Sequence, residues 1–417
     1  MKSLSLSASV LLVCSVLLLS CIKDSNQRTF HYVYYVPVYK TMAEVRANIK
    51  SNAAMAVERP GKIFTIGRYI FLNETDRGIH VIDNSNPSSP QNVAFIDLPG
   101  NMDLAVKGNT LYADMFSDLV AIDISNPRAV VLKKIVEHVF ASRIYGGNFT
   151  GDSTLVVAYW QKKDTTITAQ DNVNQIPQGG GIYMAYAAAD KNSFNSASVS
   201  PYGAGGSMSR FALLGERLYT VNNSGLNVFS ISDGPSFVSN FPISANIETI
   251  YPFKDKLFIG STAGMFIYNT NNPDLPVQEG QFAHVRSCDP VIADGEYAFV
   301  TLRSGTACQG FSNELDVVKL NHFTDPALLK AYPMSNPFGL SKDGMLLFIC
   351  DGKQGLKLYD AADASNLKLI QTIGGLETFD VIAANGKALV VASDGLYQYD
   401  YSNPMHLRLL SRMGLTN

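Results

Sequence analysis

Three side chains that could hold an anion lie close together in one stretch of the chain. His284 and Arg286 precede a short strand hairpin, and Arg303 follows it. Because the two ends of a hairpin lie side by side, we expect these three groups at one end of the molecule. A guanidinium can bind a carboxylate through two parallel hydrogen bonds. Arg210, directly after a glycine-rich stretch, is a further candidate contact at the same end.

Two cysteines flank the same hairpin and offer a competing interpretation. Cys288 and Cys308 could meet at its open end, and disulfides persist in proteins outside the cytosol. The segment would then be a loop pinned by a disulfide, with its arginines in solvent. The spacing leaves open whether this bridge forms. Cys350 lies in the apolar run LLFIC and is predicted to be a small buried hydrophobic residue.

No pattern in the sequence predicts catalysis, a metal or a cofactor. There is no His-Glu-x-x-His zinc motif and no Gly-x-Ser-x-Gly hydrolase motif. Gly179–Gly181 lacks the Lys-Ser/Thr pair that a phosphate-binding loop needs. The histidines are scattered, at His31, His80, His138, His284, His322 and His406. We therefore predict a non-enzymatic protein without catalytic residues.

The charge of the chain is nearly balanced, with 33 basic and 36 acidic residues. A nucleic-acid-binding protein usually carries a strong positive field, because phosphates dominate its contacts. This composition predicts that nucleic acid is not a partner.

The first residues predict a secreted, lipid-anchored protein. Lys2 is followed by an apolar run that ends in Leu-Leu-Ser-Cys, which resembles the bacterial lipobox. Met1–Ser20 is therefore predicted to be a signal peptide. Cleavage before Cys21 would make this cysteine the N-terminal, lipidated residue and anchor the protein to a membrane. We predict a location in the cell envelope, as an outer-membrane lipoprotein, and Ile22–Asp24 weakly resembles surface-export signals. The alternative is an ordinary secretory signal.

A unit of about forty residues organises the remainder of the chain. Its third strand ends in an Asp-x-Ser-Asn-Pro turn in the clearest copies, as in HVIDNSNP and YQYDYSNP. Equivalent third-strand positions lie 39 to 50 residues apart, except for one gap of 107, at Ile82, Ile122, Phe229, Tyr268, Val318, Tyr359 and Tyr399. Repetition at this period determines the architecture of the whole chain.

Each unit contains four short strands separated by Asn, Asp, Gly and Pro, which predicts an all-β propeller of four-stranded blades. We favour seven blades over residues 61–417, with a Gly/Ser-rich insertion at about 161–207; eight is the alternative if the long gap hides a degenerate blade. Residues 21–60 form a leader with a short strand. A helix is predicted at about 42–50, because Thr41 and Glu44 have capping-box spacing.

The recurrent aspartates could suggest a calcium ladder, but each stands alone, one unit away from the next. Asp and Asn before Pro more often accept hydrogen bonds from the backbone of their own turn. We predict that role for Asp83, Asp123, Asp360 and Asp400.

The repeated segments HVIDNSNP, VAIDISNP and YQYDYSNP resemble the LVIVD repeat of bacterial secreted and surface proteins. The likeness extends over essentially the whole mature chain, and the chain resembles LVIVD-repeat lipoproteins of about the same size. It implies a β-propeller and a cell-envelope location. It implies no reaction, ligand or catalytic residue.

We therefore expect a lipid-anchored propeller that presents a face to a protein or glycan partner. One alternative is an envelope hydrolase or lyase whose active site is assembled from several blades at the mouth of the channel. Another is a purely structural role in envelope assembly. A channel with converging acids, histidines and metal would favour the enzyme, whereas apolar and amide side chains would count against it.

Overall fold

A computed structural model of the 417-residue chain describes residues 28–140, 155–169, 204–207, 209–243, 246–284, 290–304 and 312–415. The chain divides into two compact units, one of residues 1–36 and 160–189, the other of residues 37–159 and 190–417. Over the described residues, no helix has the length and apolar character needed to cross a bilayer.

The described chain begins with a leader of β1 (Arg28–Thr41), α1 (Met42–Ala47) and β2 (Ser51–Asn52). The helix starts at a capping box. The Thr41 side chain accepts a hydrogen bond from the Glu44 N–H (3.2 Å), and the Glu44 carboxylate accepts one from the Thr41 N–H (2.7 Å). Val45 is 1% exposed and packs among residues of the first two blades. The helix is thus shorter than the predicted segment at about 42–50.

The propeller has seven blades, as the sequence predicts, and each strand pairs antiparallel with the next. The first three blades and the strands between them are β3 (Pro60–Ile66), β4 (Tyr69–Glu74), β5 (Gly78–Asp83), β6 (Gln91–Asp97), β7 (Leu104–Lys107), β8 (Thr110–Met115), β9 (Asp118–Asp123), β10 (Val131–Val136), β11 (Leu155–Ala169), β12 (Ala204–Gly205), β13 (Phe211–Leu214), β14 (Arg217–Asn222), β15 (Gly225–Ser230) and β16 (Ser236–Pro242).

Blades 4 to 7 follow without intervening strands. They consist of β17 (Ile247–Phe253), β18 (Lys256–Ser261), β19 (Gly264–Asn269), β20 (Val277–Ala283), β21 (Val291–Asp294), β22 (Tyr297–Leu302), β23 (Glu314–Lys319), β24 (Ala327–Pro333), β25 (Leu340–Asp343), β26 (Leu346–Cys350), β27 (Leu356–Asp360), β28 (Lys368–Ile373), β29 (Thr378–Ala384), β30 (Lys387–Ala392), β31 (Gly395–Asp400) and β32 (Arg408–Gly414). Cys350 is fully buried, as predicted.

The four strands of each blade, a to d, run from the channel outward, and two faces of the propeller follow from their order. We call the top face the end where strand d leads into the next blade and where strands b and c are joined. The bottom face carries the hairpins between strands a and b and the turns between strands c and d. Apolar side chains of strands a, b and c pack between neighbouring blades and form the core.

The recurrent aspartates are turn residues, which confirms the sequence interpretation. Each carboxylate accepts a 2.6 Å hydrogen bond from the hydroxyl of the serine two residues later, at Asp83, Asp123 and Asp400. Asp360 accepts one from the Ala362 N–H. The bonds from Ser125 lower the pKa of Asp123 to about 2. These acids therefore shape the bottom face.

The long gap between blades 2 and 3 contains no further four-stranded blade in the described residues. The sequence predicts an insertion from about residue 161. In the structure, β11 continues as a strand to Ala169 and pairs with β1 in a separate two-stranded sheet. The run TTIT favours an extended backbone because β-branched residues suit strands.

Candidate functional site at the top of the channel

The described flanks of three irregular intervals of the chain lie at the top face. The long gap leaves β10 and returns at β13, the segment after His284 joins β20 to β21, and the expanded loop after Arg303 joins β22 to β23. Each of these joins strands at the same end of their blades. The topology therefore brings the flanks of all three intervals to one face.

The end of the glycine-rich insertion lies inside the channel. β12 adds to the inner edge of blade 1, where Gly205 pairs with Phe64. Ser207, which is fully buried, accepts a hydrogen bond through its hydroxyl from the Leu340 N–H of blade 6 (2.9 Å). The Ser209 carbonyl accepts one from the Ile250 N–H of blade 4 (2.8 Å). This segment therefore bridges blades 1, 4 and 6 and occupies the channel.

The glycine content of this segment has a packing reason. A Cβ atom at Gly205 would lie 2.8 Å from the Phe64 ring, closer than van der Waals contact allows. The backbone can approach the inner strand of blade 1 only because no side chain intervenes. Composition alone indicated flexibility here, whereas the end of the insertion is packed.

A buried lysine forms the first charged group of the channel. Lys62, at the start of the inner strand of blade 1, is 3% exposed, and its Nζ atom lies 3.7 Å from the Asp103 carboxylate. Burial lowers the pKa of Lys62, and the nearby carboxylate of Asp103 opposes this shift. Asp380 and Asp114 also attract the ammonium group, whereas Arg210 repels it.

The carboxylate beside Lys62 is already committed to structural bonds. Asp103 accepts hydrogen bonds from the Leu104 N–H (2.7 Å) and from the Arg210 N–H (2.5 Å), so it ties blade 2 to the start of blade 3. A buried ion pair with its remaining lone pairs occupied is typical of a structural lock. This arrangement does not leave a free base beside the lysine.

Arg303 is the second charged group, and it is not the solvated arginine of the competing interpretation. It is 5% exposed, and its guanidinium carbon lies 4.1 Å from the centre of the Phe338 ring of blade 6. Burial lowers the pKa of Arg303, and the carboxylate of Glu248 in blade 4 partly offsets this. Among the described residues, the guanidinium has no hydrogen bond and no salt bridge.

The other predicted contacts have different surroundings. His284 is half-buried, 6.3 Å from Phe282 between ring centres, and its charge acts on Asp316. Arg210 lies near Lys62, with its backbone bound to Asp103. Arg286, the lipidation candidate Cys21 and the disulfide candidates Cys288 and Cys308 lie outside the described residues.

Sequence reasoning missed Lys62, Asp103, Glu248 and Phe338. They lie at or just before the first strand of a blade, where neighbouring positions are apolar. An alignment of first strands across the repeats would expose the polar interruptions Lys62, Asp103 and Glu248, whereas Phe338 carries no such signal. Within the described ranges, no three His, Cys, Asp or Glu side chains converge closely enough to hold a metal ion.

Two segments of the chain, residues 62–96 and 100–138, match the family described as the LVIVD repeat, and they coincide with blades 1 and 2. No curated protein matches the chain.

Among solved structures, a protein from Lactobacillus plantarum is 13% identical, with a TM-score of 0.54. The alignment covers 86% of this chain and 97% of the Lactobacillus protein. The periplasmic gluconolactonase PpgL of Pseudomonas aeruginosa is 13% identical with a TM-score of 0.52, covering 85% and 96%. The computationally designed protein Ika8 is 9% identical with a TM-score of 0.53, covering 88% and 92%. At these identities the likeness defines the fold class alone: the chain is a β-propeller that contains LVIVD repeats.

Proposed function

We propose that this protein is a lipid-anchored, non-enzymatic propeller of the cell envelope that binds a protein or glycan partner through its top face. The observation that carries the proposal is a segment that spans the channel. Ala204–Ser207 adds to the inner strand of blade 1 and is bonded to blade 6, and Lys62 is paired with Asp103. Binding is then left to the face that receives the irregular connections, because loops on a rigid scaffold commonly carry recognition.

The anchor is tested separately from the face. Cys21→Ser removes the only thiol at the end of the apolar run, so the protein should move from the membrane fraction to the soluble fraction. Cys14→Ser, inside the segment that is cleaved, is the matched control and should leave the membrane fraction unchanged. Continued membrane association of the Cys21 variant would contradict lipid anchoring.

The top face is tested by site-specific photocrosslinking in cells. Lys353 and His138 are exposed at the top, whereas Arg68 and Arg408 are exposed at the bottom. A protein partner should crosslink to a photoreactive residue at the two top positions only. A glycan partner should instead retain the protein on purified envelope polysaccharide, and bulky substituents at the top positions should abolish retention. Equal behaviour of the two faces would overturn the proposal.

One observation favours an enzyme as the second candidate. Lys62 is a buried amine whose pKa is lowered, a property that catalytic lysines share. Lys62→Met separates the alternatives. In a scaffold it should change stability and leave top-face binding intact, whereas in a hydrolase or lyase it should abolish turnover while the fold, measured by circular dichroism, persists.

A further inference from the structure

We propose that the top end of the channel binds a monoanionic carboxylate carried on a hydroxylated ring, such as a uronic acid, with Arg303 as the anion-binding group. The inference rests on the proposed function, because it names a ligand class for the top face. It depends on three features: a buried guanidinium with no hydrogen bond or salt bridge in the described residues, the nearby counter-charge of Glu248, and an aromatic surface beside it.

The guanidinium of Arg303 is oriented before any ligand arrives. Stacking at 4.1 Å on Phe338, itself 4% exposed, fixes the plane of the fork. Burying a charged donor without an acceptor is unfavourable, and within the described residues the guanidinium has none. A planar fork held in this way matches the two oxygens of a carboxylate.

Arg303 keeps a small exposed surface, 5% of the residue. Arg303 also follows strand β22 at the top face, one residue before Ser304, whose N–H is bound to Asn313. The guanidinium therefore lies where strand β22 ends at the top face.

The neighbouring charge determines the charge of the ligand. Of the groups in the described part of the chain, Glu248 is the one whose charge acts on Arg303. Glu248 repels any anion bound at Arg303, and it repels a dianion about twice as strongly as a monoanion. The pair therefore favours a carboxylate over inorganic phosphate.

The surroundings favour a sugar ring as the body of the ligand. Phe338 and Phe379 form an edge-to-face pair with ring centres 5.2 Å apart, and Phe379 is half-buried. A sugar has an apolar C–H face that can pack on an aromatic ring, and hydroxyl groups that can donate to a carboxylate such as Glu248, which is also half-buried. A peptide C-terminus lacks those hydroxyls.

The test is calorimetric titration of the full chain, purified in detergent, with galacturonate as the probe. Galactose lacks the carboxylate, acetate lacks the ring, and inorganic phosphate carries the second charge. We expect galacturonate to bind more tightly than all three. Arg303→Gln should weaken its binding by about 10- to 100-fold, the effect of losing a charge-assisted pair. Arg408→Gln removes an exposed arginine at the bottom face and should change nothing.

Two further variants keep the test decisive if Arg303→Gln fails to fold. Arg303→Lys retains the charge but loses the fork, so galacturonate should bind more weakly than to the wild type. Glu248→Gln removes the repelling charge and should allow phosphate to compete with galacturonate.

Three results would each overturn the inference: no binding of galacturonate, galacturonate binding that Arg303→Gln leaves unchanged, or equally tight binding of galactose, acetate or phosphate. The top-face crosslinks and polysaccharide retention do not depend on this probe. If they survive, the proposed function stands without this ligand; if they are lost as well, both are wrong.

Discussion

Some buried charged side chains of this propeller are held by several hydrogen bonds, whereas others keep a polar atom without a hydrogen bond. His80 and Glu74 are both fully buried and lie 2.9 Å apart, and Glu74 also accepts hydrogen bonds from the N–H groups of Glu58 and Arg59. Asp316, in the third strand of blade 5, is 4% exposed and leaves its Oδ1 atom without a hydrogen bond. Burial, with the nearby charge of Glu314, raises the pKa of Asp316 to about 6.

Asp316→Asn should stabilise the protein at neutral pH. Since the pKa of Asp316 is higher in the folded state (about 6) than its ordinary value of 3.8, the folded protein holds the extra proton between these pH values. Stability therefore falls as the pH rises through this window, and the penalty is complete above pH 6. Asparagine cannot ionise, so the variant should gain roughly 1–3 kcal/mol at pH 7 and nothing below pH 4. Urea unfolding across this pH range measures the difference.

Asp351→Asn is the matched control, because this aspartate is also fully buried but bonded. It accepts hydrogen bonds from the N–H groups of Ser335 and Asn336 and lies 2.6 Å from the Lys357 ammonium. Its replacement should destabilise the protein at pH 7 by about 3 kcal/mol, since it leaves a lysine without its counter-charge. If both variants shift stability in the same direction at pH 7, unsatisfied burial is not what distinguishes Asp316.

At the scale of elements, neighbouring blades are joined by one repeated contact on the bottom half of the propeller. The turn between strands c and d of one blade rests on strand d of the preceding blade. Ser239 of blade 3 donates its hydroxyl proton to the Asp274 carbonyl of blade 4 (2.7 Å), and Ser411 of blade 7 donates to the Pro87 carbonyl of blade 1 (2.7 Å). The leader provides the same bond for blade 2, from Ser51 to the Pro127 carbonyl (2.8 Å). The leader is thus part of the blade packing.

Gly280→Ala should open this contact between blades 4 and 5. Gly280 occupies the equivalent position in strand d of blade 4, and a Cβ atom there would lie 1.9 Å from the Phe323 carbonyl oxygen. Because that obstacle is backbone, the turn must move away, at a cost of about 1–3 kcal/mol. Thermal unfolding measures the loss. Gly414→Ala, in strand d of blade 7 with nothing within 4 Å, should change stability little; similar losses for both would refute the close-contact explanation.

The strands, turns and blade number could be predicted from the sequence because they depend on residues that are close together within each repeat. The Asp-x-Ser-Asn-Pro turn needs only the chain within two residues of Asp123 or Asp400. The channel contacts could not be predicted in this way. Whether Ser207 meets Leu340, or Arg303 meets Phe338, depends on which blades face each other across the ring. The composition of a glycine-rich segment predicts flexibility, and only the structure shows the surface that it packs against.

At the scale of the whole molecule, the four strands a to d of blade 1 come from one continuous segment, and so do those of blade 7. Closure rests on packing between them, with Ile70 and Ile82 of blade 1 against Leu389 and Leu396 of blade 7. Two reciprocal amide hydrogen bonds reinforce it: Asn84 donates to Gln398 (2.9 Å), and Gln398 donates to Asn84 (2.8 Å). These contacts join positions 314 residues apart, so they form only when all seven blades are in place.

Asn84→Ala should therefore lower the stability of all seven blades and not only that of blade 1. The variant leaves the Gln398 amide, 3% exposed, without its main partner, at a cost of about 1–3 kcal/mol. Asn84→Ala combined with Gln398→Ala should cost less than the sum of the single variants, because the two residues share the same bonds. Hydrogen exchange followed by mass spectrometry should show a similar loss of protection in all seven blades under native conditions. Loss confined to blades 1 and 7 would mean that the ring opens locally, and that the blades do not unfold as one cooperative unit.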